Sequence, residues 1–312
     1  MHIGLPLNQL IYPERNAIMD YNSDRPTCLI TGARGYLGSC IKARFQQEDW
    51  NVVDLVRNPK PEEVKACKAT LFTLSEGISP RALQGAKALV HCAYDFSLRD
   101  WKYIREINVL GTQKLFDAAK SAGVERRVFI SSMSAYEDCK SLYGRAKLEA
   151  EKLLPGALSL RPGLIYGNHP QGMVGKLVKQ VRRASILPIF NDGCQVLYLS
   201  HEEDLSQVIY DFASGRISAP QEPVIVAHEK GWTFRSILEE LARSQGKKLR
   251  FINIPWRPLW VVIKCCELCR IPIDFRSDSL ISLLNQNLHP SFAPARQLKL
   301  SFRPFEVEKL TI

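Results

Sequence analysis

The feature that most restricts the fold is an apolar strand-like run that breaks into closely spaced glycines and resumes as an amphipathic helix. TCLIT at 27–31 leads into GARGYLG at 32–38 and then SCIKARFQ. Glycine at 32, 35 and 38 allows a tight turn after a strand and lets a ligand approach the backbone at the positive mouth of a helix. A glycine trio alone says little, but at a first strand–turn–helix junction it predicts binding of a dinucleotide's pyrophosphate. Further runs keep the alternation: NVVDLVRNP from 51, ALVHCAY at 88–94, RVFISSMSAY at 127–136 and ALSLRPGLIYG at 157–167 read as strands. WKYIREINVLGTQKLFDAAKSAG at 101–123 reads as a long helix closed by Gly123.

Alternating strands and helices imply right-handed crossovers and an α/β fold, a doubly wound Rossmann-type parallel sheet. Past residue 167 the texture changes to Gly, Pro and polar residues and then to mixed helices and short strands. The expected organisation is an N-terminal extension at 1–25, a dinucleotide-binding domain at 26–167 and a smaller C-terminal α+β substrate lobe at 168–312, from which the chain can return to the sheet.

Composition narrows the function classes. The chain has 312 residues, 46% hydrophobic and 24% charged, which is ordinary for a soluble globular protein. Its 42 Lys and Arg against 32 Asp and Glu favour anionic ligands, but they are scattered, so no nucleic-acid footprint is expected. Nine cysteines without a repeating spacing argue against a disulfide framework and for a reducing compartment. Cys266 and Cys269 form one CxxC without a second, so they are expected on the apolar side of a helix and not around zinc. His91, His201, His228 and His289 have no Asp or Cys neighbours at ligand spacing, and no metal is expected. Neither a leader peptide nor a transmembrane segment is expected, and the location read from this is cytoplasmic. Residues 256–264, with two Trp beside Arg257 and Lys264, fit either a buried helix of the second lobe or a helix touching a membrane surface or lipid-linked substrate.

The second strand bears on cofactor choice. If it ends at Val56, Arg57 follows directly, and Arg34 lies in the glycine loop; two guanidinium groups and no carboxylate suit the 2′-phosphate of NADP(H) over NAD(H). If it ends two residues sooner, Asp54 becomes a ribose acceptor.

In SLYGRAKLEAEKLL at 141–154, Tyr143 and Lys147 share one helix face. Taken alone, the pair fits a half-buried aromatic and a solvated charge as well as a tuned phenol. Taken with TGxxGxxG at 31–38, INVLGTQKLFDAA at 107–119, FISSMSAY at 129–136 and RPGLIYG at 161–167, it resembles the extended short-chain dehydrogenase/reductase family, the NAD-dependent epimerase/dehydratase group. The resemblance runs in order over residues 27 to about 305.

The resemblance implies a Ser-Tyr-Lys site. Tyr143 would be general acid or base, Lys147 would hold the nicotinamide ribose and lower the phenol's pKa, and Ser132 would bind the substrate oxygen. Asn108 corresponds to the family's asparagine near the active site. Gly32, Arg34, Gly35, Tyr36, Leu37, Gly38, Arg57, Ala93, Arg161 and Pro162, with Tyr143 and Lys147, would bind the cofactor. The implied activity is NAD(P)H-dependent reduction of a small-molecule carbonyl, a keto-sugar among the candidates, in a chain that dimerises through a helix bundle. A nucleotide-sugar epimerase or dehydratase with tightly held NAD, and a non-catalytic dinucleotide sensor or scaffold, are the competing readings. Ser132 and Tyr143 are only 11 residues apart, ATLFTLSEG lacks the acidic residue usual after the third strand, and YGNHP and GCQVLYLSHEED lack the arginines of a diphosphate clamp.

Overall fold

A computed structural model describes residues 24–168, 170–271, 273 and 275–307. The expected extension at 1–25 therefore lies almost wholly outside the described residues. The chain divides into two compact units at Val128 and Phe129.

The first unit opens with β1 (Thr27–Thr31), α1 (Tyr36–Gln47) and β2 (Asn51–Val56), followed by a short helix α2 (Pro61–Lys65), β3 (Ala69–Leu71) and β4 (Ala88–His91). Every residue of β1 and β4 is buried, as an apolar strand covered on both faces must be. β1 pairs in parallel with both β2 and β4, and β2 with β3. α1 is seated by Gly38, Ile41 and Phe45, and Phe45 meets Trp50 edge-on at 5.2 Å. The expected long helix is present but interrupted: residues Arg105–Leu110 form a π-turn, and α3 (Gly111–Ser121) then ends before Gly123, whose φ of +79° supplies the left-handed stop.

The second unit carries α4 (Leu142–Lys152), β6 (Leu158–Pro162), β7 (Leu164–Tyr166), α5 (Gly172–Arg183), β8 (Ile186–Ile189), β9 (Val196–Leu197), β10 (Leu199–His201), α6 (Glu202–Ala213) and β11 (Val224–Val226). It continues with β12 (Trp232–Thr233), α7 (Phe234–Ser244), β13 (Arg250–Asn253), α8 (Trp256–Leu268) and α9 (Ser277–Leu284). β5 (Arg126–Ile130) spans the unit boundary, and the seven-stranded sheet has the order β11-β6-β5-β4-β1-β2-β3. The chain is thus a doubly wound α/β protein of the Rossmann kind, and β11 returns from the C-terminal half to pair in parallel with β6.

Three strands are shorter than the sequence suggests, and the first of them, β4, stops at His91 instead of running to Tyr94. β5 stops at Ile130, and residues 131–136 form a turn in which the Ala135 amide donates to the Ser132 carbonyl. The run 157–167 is cut at Gly163, where a Cβ would overlap the Tyr198 carbonyl oxygen. β6 joins the large sheet, whereas β7 pairs with β10 in a sheet of its own. α5 and α7 cover that small sheet through Val174, Leu177, Val181, Ile237 and Leu241.

Candidate functional site

The glycine loop of the first unit is built as its spacing implies. Gly32 has φ of +67°, and a Cβ there would lie 3.1 Å from the Ala93 nitrogen. At Gly38 a Cβ would overlap the Gly32 carbonyl, so the loop and the first turn of α1 can close only on hydrogen. Gly35 is the N-cap, Tyr36 and Leu37 open the helix, no side chain caps it, and its first turn holds no acid. Backbone N–H groups at a positive helix end with no carboxylate of their own fit a bound pyrophosphate.

Ala93 is held against this loop by a buried relay. Thr112 donates to the Asn108 carbonyl at 2.6 Å, so its oxygen accepts from His91 Nε2 at 2.9 Å. His91 is therefore the Nε2–H tautomer, and its Nδ1 accepts from Thr31 Oγ1 at 2.7 Å. Thr31 in turn accepts the Cys92 and Ala93 amides, each at 3.1 Å. His91, fully buried, is an internal tether. Asn108 sits in the π-turn, and its side-chain amide clamps the Asp95 backbone: Oδ1 accepts from Asp95 N at 2.7 Å and Nδ2 donates to Asp95 O at 3.2 Å.

The two ribose readings differ in where they end β2. The strand runs to Val56, so Arg57 follows it and is exposed, while Asp54 is buried within the strand and gripped by Lys42 Nζ at 2.9 Å to both oxygens. Arg34 is exposed, with its guanidinium 2.8 Å from Glu63 of α2.

The second unit brings Ser132, Tyr143 and Lys147 together. Ser141 caps α4 by accepting the Gly144 amide at 3.0 Å, which starts the helix one residue before Tyr143. Gly144 lies so close to the 132–134 turn that a Cβ would overlap the Ser134 carbonyl oxygen. This approach brings Ser132 close enough to Tyr143 for its hydroxyl to pull the phenol's pKa down. Lys147, one turn on, is buried; its Nζ donates to the Ile130 carbonyl at 2.7 Å and lies 4.7 Å from the Phe129 ring centroid and 5.9 Å from that of Tyr143.

The electrostatics run opposite to the expectation that Lys147 lowers the phenol. Tyr143 keeps one edge in solvent, but burial of its hydroxyl end pushes the pKa up to about 12, and the neighbouring Ser132 hydroxyl only partly opposes this. The phenol is protonated at neutral pH. Its ionisation is favoured in the unfolded chain, where the value is near 10, so its contribution to stability is complete below about pH 10 and is lost as pH rises toward 12. Wild-type protein is expected to lose about 1 kcal/mol more stability than Tyr143→Phe between about pH 9 and pH 11, measured by urea unfolding at each pH.

The start of α4 has a second anchor that the sequence does not reveal. The Leu142 and Tyr143 amides donate to the Asp278 carboxylate of α9 at 2.7 and 3.1 Å. The same helix region meets the 132–136 turn: Ser134 and Ser282 share a hydrogen bond of 3.0 Å, and Tyr136 donates to the Asn285 carbonyl at 2.8 Å. Asp278→Ala should lower stability by about 1–2 kcal/mol and reduce kcat more than it changes KM, since a negative charge and two acceptors leave a helix N-terminus. Urea unfolding and steady-state kinetics check both. Arg161, placed by the resemblance in the cofactor set, is paired with Glu151 of α4, Nε donating at 2.9 Å. Pro162 closes β6, its carbonyl accepting the Met133 amide at 3.0 Å.

Comparison with known proteins agrees with this fold. Residues 28–215 match the model of the NAD dependent epimerase/dehydratase family. The chain belongs to that family. It is 28% identical over 283 residues to the ceramide reductase of Caulobacter vibrioides, covering 86% of this chain and 88% of that one. It is 26% identical to the 4-hydroxy-2-methyl-3-oxo-4-farnesyl-3,4-dihydroquinoline-1-oxide ketoreductase of Stigmatella aurantiaca, with 73% and 76% covered. Among solved structures, MoeE5 in complex with UDP-glucuronic acid and NAD shares the fold at a TM-score of 0.63 and 24% identity, covering 73% of this chain and 85% of that one. The NDP-hexosamine 5,6-dehydratase TunA does so at 0.66 and 18%, with 91% and 95% covered. The extended short-chain dehydrogenase/reductase type inferred from the motifs is therefore the type of this protein.

Proposed function

We propose that the protein reduces a carbonyl at the expense of NADPH, with Tyr143 as proton donor. The observation that carries this reading is Tyr143 seated beside Ser132 and one turn before the buried Lys147, whose Nζ lies 5.9 Å from its ring, on a phenol that burial keeps protonated. A carbonyl that receives hydride needs a proton at the oxygen, and a phenol loaded at working pH supplies one. The nicotinamide, when bound, supplies the hydride. Ser132 would hold the substrate oxygen in line with the phenol, and Lys147, held at the Ile130 carbonyl, would hold the ribose. The family's asparagine, Asn108, would act by fixing the Asp95 backbone. The glycine loop with Tyr36, Leu37 and Ala93 would take the pyrophosphate and adjoining ribose, and Pro162 would border the ring. NADPH is preferred in this reading because Arg57 follows β2 and Asp54 is engaged by Lys42.

Two relatives are named as reductases of a ceramide and of a farnesylated dihydroquinoline oxide, which favours net reduction and a lipid-like carbonyl. Purified protein mixed with NADPH and a panel holding long-chain ketones and keto-sugars should oxidise NADPH with at least one member. If NADPH is never consumed while NAD+ copurifies with the protein, the reading gives way to an epimerase or dehydratase, a reading to which the NAD complex of MoeE5 lends its fold.

A further inference from the structure

α8 has its apolar side turned outward. Its inner face, through Ile263 with the half-buried Trp256, Leu259 and Trp260, packs on a small cluster with Phe190 and Leu280, so the helix is firmly seated. The opposite face runs Pro258, Val261, Val262, Cys265, Leu268 and Cys269, positions three, four and seven apart that fall on one stripe. All six are exposed, Val261 at 52%, Val262 at 58% and Leu268 at 74%. The stripe is about 16 Å long, three turns of helix without a polar residue. A surface helix of a soluble protein ordinarily shows water its charged face.

Charge identifies what covers it. Residues 247–270 carry Lys247, Lys248, Arg250, Arg257, Lys264 and Arg270 against a single acid, Glu267. That acid is buried, where it accepts from the Ser277 hydroxyl at 2.8 Å and lies 3.7 Å from Lys264 Nζ, so the charges α8 itself shows to water are the exposed Arg257 and the half-buried Lys264. Arg257 and Lys264 flank the stripe along one edge by helical geometry. A second copy of the chain would bring the same positive charges against themselves, whereas an anionic bilayer meets an apolar stripe with acyl chains and a basic border with phosphates. No helix among the described residues is long and apolar enough to cross a membrane, and α8, at 13 residues, can only lie in the interface.

We propose that α8 docks the protein on anionic membrane surfaces, inserting the Val261–Leu268 stripe beneath the headgroups. The proposal is independent of the catalytic reading. Full-length protein should float with vesicles of phosphatidylcholine containing about 30% phosphatidylglycerol, and bind pure phosphatidylcholine at least ~10-fold more weakly. Salt at about 0.5 M should release a large part of the bound protein. The double variant V261D/L268D, altered only at exposed positions, should lose at least ~10-fold in binding with an unchanged circular dichroism spectrum. R257Q/K264Q should weaken binding to the anionic vesicles alone and stands as the deciding variant if V261D/L268D misfolds. Equal flotation of wild type and variants, no flotation of the wild type, or a wild-type dimer that V261D/L268D converts to monomer would overturn the proposal, the last by making a second copy the occupant.

Discussion

Tyr143→Phe is expected to lower kcat for carbonyl reduction by about 10²–10⁴-fold while the protein still binds NADPH, because the change removes one hydroxyl and leaves the ring. Ser132 is left with its backbone contacts, among them the Ser134 amide donating to its Oγ at 3.1 Å. The half-exposed ring needs no repacking, and the fold should survive at neutral pH with stability changed by less than about 1 kcal/mol. Fluorescence titration with NADPH and steady-state kinetics on the same sample separate binding from chemistry. A variant that binds and turns over like wild type would remove Tyr143 from the mechanism.

Gly144→Ala should do comparable damage by a different route. The added methyl would sit on the Ser134 carbonyl oxygen, a backbone atom that cannot rotate away, so either the first turn of α4 or the 132–134 turn must move. Overpacking of this kind costs about 1–3 kcal/mol, and the displacement falls on the Ser132–Tyr143 contact. A shift of about an ångström between donor and reacting atom is worth on the order of 10²-fold in rate. Stability from urea unfolding and kcat from NADPH consumption should therefore both fall. If the melting behaviour and kcat match wild type, the close approach is not what aligns the pair.

Much of this was legible in the sequence because it is local. The glycine loop, the β2 terminus at Val56 and the Tyr143–Lys147 spacing depend on contacts within one strand–turn–helix segment or one helical turn, and periodicity reports such contacts directly. Gly163 was hidden inside an apolar run because the carbonyl that demands a glycine belongs to Tyr198, 35 residues on. Asp278 was unreadable for the same reason in stronger form: its partners lie 135 residues or more away, and nothing around it resembles a cap. The direction of the Tyr143 shift also escaped, since spacing places Lys147 near the phenol but does not say that the amine turns to Ile130 while burial governs the hydroxyl. For α8 the composition suits a buried helix and a membrane-facing one, and it does not show that one face packs on Phe190 and Leu280 while Val261, Val262 and Leu268 stay exposed.

Net transfer of hydride to a substrate whose oxygen takes the Tyr143 proton is the central step of the proposed reaction. Mass spectrometry of the product formed with NADPH deuterated at the transferable position tests it most directly. One deuterium per molecule of alcohol, with matching loss of NADPH, is the predicted result; product free of label, or turnover that leaves NADPH undiminished, would contradict it.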